Sequence, residues 1–140
     1  SDAFAYGFQI LEQLGETFPA TPENGIVVQE LLATKELVTG SLNESKLRNL
    51  PEMTDVPKKE AMAFLAEMLI CGWQSRSIYY PLLACRMVQI TLQYGLAKTS
   101  CLGKFFLRTY LSFLYPFTVR SGNHLSVLVP LQCRALSCCA

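Results

Sequence analysis

A chain of 140 residues is long enough to bury a core of its own, either as one ordinary domain or as a slice of a longer repeat array. Half of it is apolar (51%), 16% is charged, and the formal net charge is +1, which removes any global electrostatic reason to expect nucleic acid or an anionic membrane as partner. All eleven acidic residues lie at or before Glu67, where five Lys or Arg accompany them for a net −6; from Met68 onward there are seven basic residues and no acid. Those seven (Arg76, Arg86, Lys98, Lys104, Arg108, Arg120, Arg134) are scattered singly among apolar residues and do not build a basic face.

Taken in chain order, Phe4, Phe8, Leu11 and Leu14 mark one face of a first helix over roughly Asp2 to Leu14, with Gly15 as its left-handed end. Thr21-Pro22 supplies a capping hydroxyl with proline in the first turn, and Val27, Val28, Leu31, Leu32 and Val38 continue at helical spacing until Gly40. Ser41-Leu42-Asn43-Glu44 has capping-box spacing and predicts a short helix closed before Pro51. In "LPEMTDVPKKEAM" (50–62), Thr54 or Asp55 caps and Pro57 is tolerated in a first turn, so the stretch initiates a helix carrying Met62, Leu65, Met68 and Leu69 to a stop at Gly72. Ala61, Ala63 and Ala66 leave room for a close neighbour. After Ser77, a further helix with Leu82, Leu83, Met87, Val88, Ile90 and Leu92 is apolar over much of its circumference before Gly95, which makes it the most buried.

Helices of this length, joined by short glycine- and proline-marked turns, describe antiparallel helical hairpins of the tetratricopeptide-like α-solenoid kind, without the strict 34-residue consensus. A four-helix bundle has the same periodicity, so the pattern leaves both architectures open.

The run "LLATKELVTGSLNESKLRNLPEMTDVPKKEAMAFLAEML" followed by "YYPLLACRMVQITLQYG" resembles a helical region of very large multidomain signalling proteins. Those proteins combine a predicted AAA-type ATPase with sensor and histidine kinase domains, often with a serine/threonine kinase at the front. The resemblance covers Ala3 to about Gly103, and its most specific elements are Leu-Pro-Glu-Met-Thr-Asp, Leu82 to Val88, and Tyr94-Gly95. It implies a helical region between the ATPase core and the sensor, with the neighbouring ATPase, sensor and kinase domains as partners in the same chain. The nucleotide-binding and phosphotransfer residues would then lie elsewhere, so no catalytic, cofactor-binding or metal-ligating residue is carried onto this chain. From Lys104 the pattern departs: residues 104–140 are acid-free, end on paired cysteines, and are expected to be an irregular tail arising from a reading-frame slip or a retained intron.

The chain begins on Ser-Asp-Ala-Phe and reads as a fragment. The six cysteines (Cys71, Cys85, Cys101, Cys133, Cys138, Cys139) are an even number, but three fall within apolar helical patterns, which suits buried thiols and a reducing, cytoplasmic location. Self-association as a homo-oligomer is compatible with the helical faces.

The chemistry on offer is thin. Gly95-Leu96-Ala97-Lys98-Thr99-Ser100-Cys101-Leu102-Gly103-Lys104 superficially suggests a phosphate-cradling loop, but seven residues separate the glycines where four are needed, Phe105 follows the lysine, and a helix precedes Gly95. Glu52 and Asp55 read as a solvated carboxylate and a cap before they read as an acid-base pair. A catalytic cysteine needs a base to hold it as thiolate, and the one histidine, His124, lies in the tail, which weakens every cysteine-based mechanism. With Cys133, Cys138 and Cys139 it offers four soft ligands, yet the adjacent pair lacks the gap that lets two sulfurs reach one zinc. Trp73, Tyr79 and Tyr80 are expected to seal a helical joint. The apolar run 105–119 is interrupted by Arg108 and broken by Pro116 before the roughly 18–20 residues that a membrane span needs.

Overall fold

The computed structural model describes residues 2–40, 49–100 and 102–103. The chain is all-α, as expected. Four helices are described: α1 (Asp2–Gln13), α2 (Asn24–Gly40), α3 (Val56–Gln74) and α4 (Tyr79–Tyr94). Extended backbone pairs only once among the described residues, in a parallel bridge between Glu52 and Leu96. The helix anticipated after Ser41 and the tail from Lys104 lie outside the described residues.

α3 and α4 pack most closely, as a helical hairpin; α2 lies on α4 and α1 on α3. The core runs through this hairpin, with Met62, Leu65, Leu69, Leu83 and Met87 wholly buried, joined by Leu11 of α1 and by Val27, Leu31 and Val38 of α2. Burying side chains of this size stabilises by about 1.5–3 kcal/mol each. α4 is buried at ten of its sixteen positions, as its near-continuous apolar circumference foretold.

Local signals explain most boundaries. Gly15 adopts φ 86°. Its N–H bonds to the Glu12 carbonyl (3.0 Å) and the Glu16 N–H to the Leu11 carbonyl (2.8 Å), the paired closure that satisfies the last carbonyls of α1. Asp55 caps α3, accepting from the Lys58 N–H at 3.0 Å, with Pro57 in the first turn.

Elsewhere the structure departs from the sequence expectation. α2 begins at Asn24 rather than after Thr21, because the Ile26 and Val27 N–H groups bond to the Glu23 carbonyl and leave Pro22 outside the helix. Val27, Leu31 and Val38 are buried, but Val28 and Leu32 face solvent, one step round the helix from the packed stripe. α3 runs through Gly72 to Gln74: that glycine is buried between Phe4 and Tyr80, so packing holds the helix together there. The left-handed residue that ends it is Arg76 (φ 51°), flanked by bonds from the Ser77 N–H to the Gly72 carbonyl and from the Arg76 N–H to the Trp73 carbonyl. Cys85 is buried, whereas Cys71 is exposed.

The "LPEMTD" stretch does more than start a helix. Met53 is fully buried, and its N–H bonds to the Leu96 carbonyl (2.9 Å) while the Leu96 N–H bonds to the Pro51 carbonyl (2.8 Å). The segment leading into α3 is thereby tied to the segment leaving α4.

Candidate functional site

The densest polar constellation among the described residues centres on Glu16. The left-handed turn at Gly15 carries the chain across the end of α1 and sets Glu16 inward, where it is 4% exposed. Lys58, in the first turn of α3, contacts Oε1 through Nζ at 2.5 Å, and Arg86, midway along α4, contacts Oε2 through Nη1 at 2.7 Å. The second guanidinium nitrogen donates to the Thr17 carbonyl at 3.1 Å. Two cations thus share one carboxylate, and aromatic faces help to hold them: Lys58 Nζ lies 5.1 Å from the Tyr94 ring centroid and the Arg86 guanidinium 4.9 Å from that of Phe18.

A hydrocarbon layer flanks this crossing. Phe8 stands 5.2 Å from Phe18 and 4.5 Å from Tyr79 between ring centroids, and Phe4 stacks on Tyr79 at 6.1 Å. The Tyr79 hydroxyl donates toward the Pro19 and Ala20 carbonyls at 3.1 and 2.7 Å. Of Trp73, Tyr79 and Tyr80, expected to seal a helical joint, Tyr80 is buried with its ring 5.4 Å from that of Trp73, Tyr79 is half-buried, and Trp73 stays 48% exposed.

A second polar group joins α2 to α4. The Thr34 hydroxyl donates to the Glu30 carbonyl (2.7 Å), and Gln89 Nε2 donates to Thr34 Oγ1 and Glu30 Oε2, both at 3.0 Å. Beside them burial pushes the Cys85 thiol up from 9.0 to about 11, against a smaller opposing pull from its hydrogen bond with Thr34. At neutral pH it is a protonated, inert thiol rather than a nucleophile. A third group closes the far end of α4: the Thr91 and Ser100 hydroxyls are 2.9 Å apart, Thr91 donates to the Met87 carbonyl, and Ser100 accepts the Ala97 N–H.

The sequence candidates fall elsewhere. Glu52 and Asp55 are both exposed, one in the bridge to Leu96 and the other at the cap. In the stretch after Gly95, Leu96 pairs in the bridge, Lys98 and Thr99 turn, and Ser100, Leu102 and Gly103 are helical; Thr99 Oγ1 donates to the Met62 carbonyl of α3 at 3.3 Å, and a helix rather than a strand precedes the stretch. His124, Cys133, Cys138 and Cys139 lie outside the described residues, and among those described no three His, Cys, Asp or Glu side chains are placed to share a metal ion. No described helix is long and apolar enough to cross a membrane.

Sequence reasoning missed Glu16, Lys58 and Arg86 as a group because 42 and 70 residues separate the carboxylate from its partners. One local signal was present: the second position past a helix of this ending usually carries an apolar residue that packs back on the last turn. A glutamate there requires cations from elsewhere if it is buried.

What the arrangement does chemically is tie elements together. Each buried polar side chain described (Glu16, Thr34, Thr91, Ser100) is hydrogen-bonded to protein, and three of the four reach another element. No protein-family model, no curated protein and no solved structure matches the chain.

Proposed function

We propose that the chain is a non-catalytic helical scaffold that joins the domains of an ATPase-linked multidomain signalling kinase, docking its neighbours and passing strain between them. The observation that carries the scaffold role is the spending of buried polar groups on internal cross-links: Glu16 pins the α1 turn to α3 and α4, Gln89 and Thr34 pin α2 to α4, and Ser100 pins the segment after α4 back onto it. A body cross-linked in this way is a stiff spacer. Its placement beside ATPase, sensor and kinase domains, in an α-solenoid of tetratricopeptide-like hairpins inside the cell, rests on the resemblance of residues 3–103 to that family's helical region.

A second reading, an independent tetratricopeptide-like interaction module, is favoured by one feature. Large apolar side chains stand exposed on two faces: Val28 and Leu32 on α2, and Ile70, Trp73 and Ile78 around the α3–α4 turn.

Both readings are tested in the full-length protein with Leu83→Ala, at a position with no exposure in the middle of the hairpin. The scaffold predicts that ATPase turnover and kinase autophosphorylation both persist while the dependence of one on the other is lost. A folded variant with unchanged coupling would overturn it. Loss of binding to a separate protein with coupling intact would support the module instead.

A further inference from the structure

The stretch after Gly95 turns back onto the hairpin, between α3 and α4. The Ser100 and Thr91 hydroxyls meet at 2.9 Å, and Gly103 lies so close to α4 that a Cβ would stand 2.6 Å from Met87 Cβ and 3.5 Å from the Ala84 carbonyl oxygen. On the α3 side, Thr99 Oγ1 donates to the Met62 carbonyl at 3.3 Å. Ser100 and Gly103 are buried, and Leu102 packs on the core. Continuing at helical spacing, Thr91, Met87 and Ala84 lead to Tyr80, while Met62 and Ala66 lead to Ile70 and Trp73. The Trp73 and Tyr80 rings lie 5.4 Å apart, so the two stripes wall one groove. Ala66 and Ala84, both small and buried, keep it shallow enough for a further helix to approach closely. Thr99, Ser100 and Gly103 occupy its near end; at its far end Trp73 is 48% and Ile70 39% exposed.

We infer that the far end of this groove is the seat of the chain's own residues 104–114, continuing as a helix along the path that Ser100 and Gly103 begin. The direction selects this occupant: as the chain advances from Ser100 to Gly103, its contact moves from Thr91 to Ala84, up the groove toward Tyr80. The reach is sufficient, because seven helical residues beyond Gly103 advance about 10 Å and bring Tyr110 level with Trp73. The phase agrees as well. In KFFLRTYLSFL (104–114), Phe106, Leu107, Tyr110, Leu111, Phe113 and Leu114 fall on the face that Thr99, Ser100 and Gly103 turn to the groove, and Arg108, Thr109 and Ser112 fall on the opposite one. Phe105 is the one large apolar residue out of phase. Pro116 closes the pattern, so the helix from Ser100 matches α4 in length. This inference goes beyond the scaffold reading and stands without it; it carries the helical region past Lys104, where an irregular tail is expected.

The test uses the full 140-residue chain, with Trp73, its single tryptophan, as reporter. In dilute wild-type protein that is monomeric by light scattering, amides of residues 106–114 are expected to exchange at least about tenfold more slowly than in an unstructured chain, with Trp73 shielded from acrylamide. Exchange at the unstructured rate overturns the inference whatever the variants do. Protection that appears only as a dimer forms overturns it too, since the seat then belongs to a second copy. Leu107→Asp, on the groove face, is expected to abolish the protection and open Trp73 to the quencher while amides of α2 and α4 stay protected. Ser112→Asp, on the outer face, is expected to change neither. Equal effects from the two substitutions overturn the inference, as does a Leu107→Asp variant that keeps both protection and shielding. Leu107→Ala, which buries no charge, is expected to give the same change in smaller measure and replaces the aspartate variant if that one does not fold.

Discussion

Gly95 approaches Pro51 so closely that a Cβ at its position would stand 2.5 Å from the proline carbonyl oxygen. With φ 107° it also occupies backbone that L side chains rarely adopt. Gly95→Ala is therefore expected to destabilise by about 2–3 kcal/mol, from strain and from displacement of the 51–53 segment. Gly25, with nothing within 4 Å of its Cβ position in α2, is the control: Gly25→Ala should stabilise by roughly 0.5 kcal/mol. Urea denaturation midpoints compare the two, and equal effects would remove the argument from close approach.

Arg76 offers the reverse experiment. It ends α3 in the left-handed region while exposed, a conformation that costs a non-glycine residue about 1–2 kcal/mol. Arg76→Gly should raise stability by about 1 kcal/mol after the extra unfolded-state entropy of glycine is subtracted. A thermal melt without an upward shift would mean that the arginine side chain contributes contacts that offset the strain.

Glu16→Gln keeps the shape of the side chain but leaves Lys58 and Arg86 beside a neutral amide. Breaking a buried pair by removing one charge typically costs 3–5 kcal/mol; the two cations are partly exposed, so a loss of about 3 kcal/mol is expected. Glu12→Gln, on the exposed side of α1, should stay within about 0.5 kcal/mol of the wild type. Chemical denaturation of both variants in low and high salt checks the contrast, since a buried lock responds weakly to screening.

Cys85 makes a prediction in pH. Its thiol keeps its proton to about pH 11 in the folded chain, against 9.0 when unfolded. Between those values the folded state binds more protons than the unfolded state, so this contribution is fully present below pH 9 and falls as pH rises toward 11, by about 3 kcal/mol. Cys85→Val should flatten that part of the stability profile relative to the wild type. In a thiol-labelling experiment at pH 8, exposed Cys71 should react readily and Cys85 only through unfolding.

Tyr79→Phe removes the hydroxyl that reaches the Pro19 and Ala20 carbonyls while preserving the rings around it. The expected loss is about 1 kcal/mol. Its hydrogen-exchange signature should concentrate in α1 and the following turn, not in α2; a uniform increase across the chain would contradict a local role for the hydroxyl in seating α1.

Features decided within a few residues were legible in the sequence. Gly15 as a left-handed stop, Asp55 with Pro57 as a helix start, Gly95 as a terminus and the all-round apolarity of α4 each follow from backbone sterics or from one side chain reaching its own turn. What escaped was set by distant partners. Gly72 looked like a stop because a glycine weakens an isolated helix, but Phe4 and Tyr80 close on it from α1 and α4. Thr21-Pro22 looked like a start, yet the helix hydrogen bonds begin at the Glu23 carbonyl. The periodicity of α2 named five apolar positions without revealing that Val28 and Leu32 point away from α4. The Glu16 lock and the seat of Met53 against the Leu96 segment depend on residues more than 40 positions apart, which no local pattern encodes.

The bridge between Glu52 and Leu96 has a mechanical consequence. Because its two segments run parallel, a pull on the chain ahead of Pro51 and beyond Ala97 draws them past one another and loads both hydrogen bonds at once. Tension would thus pass from one flank to the other through that short staple, bypassing the forty-odd residues between.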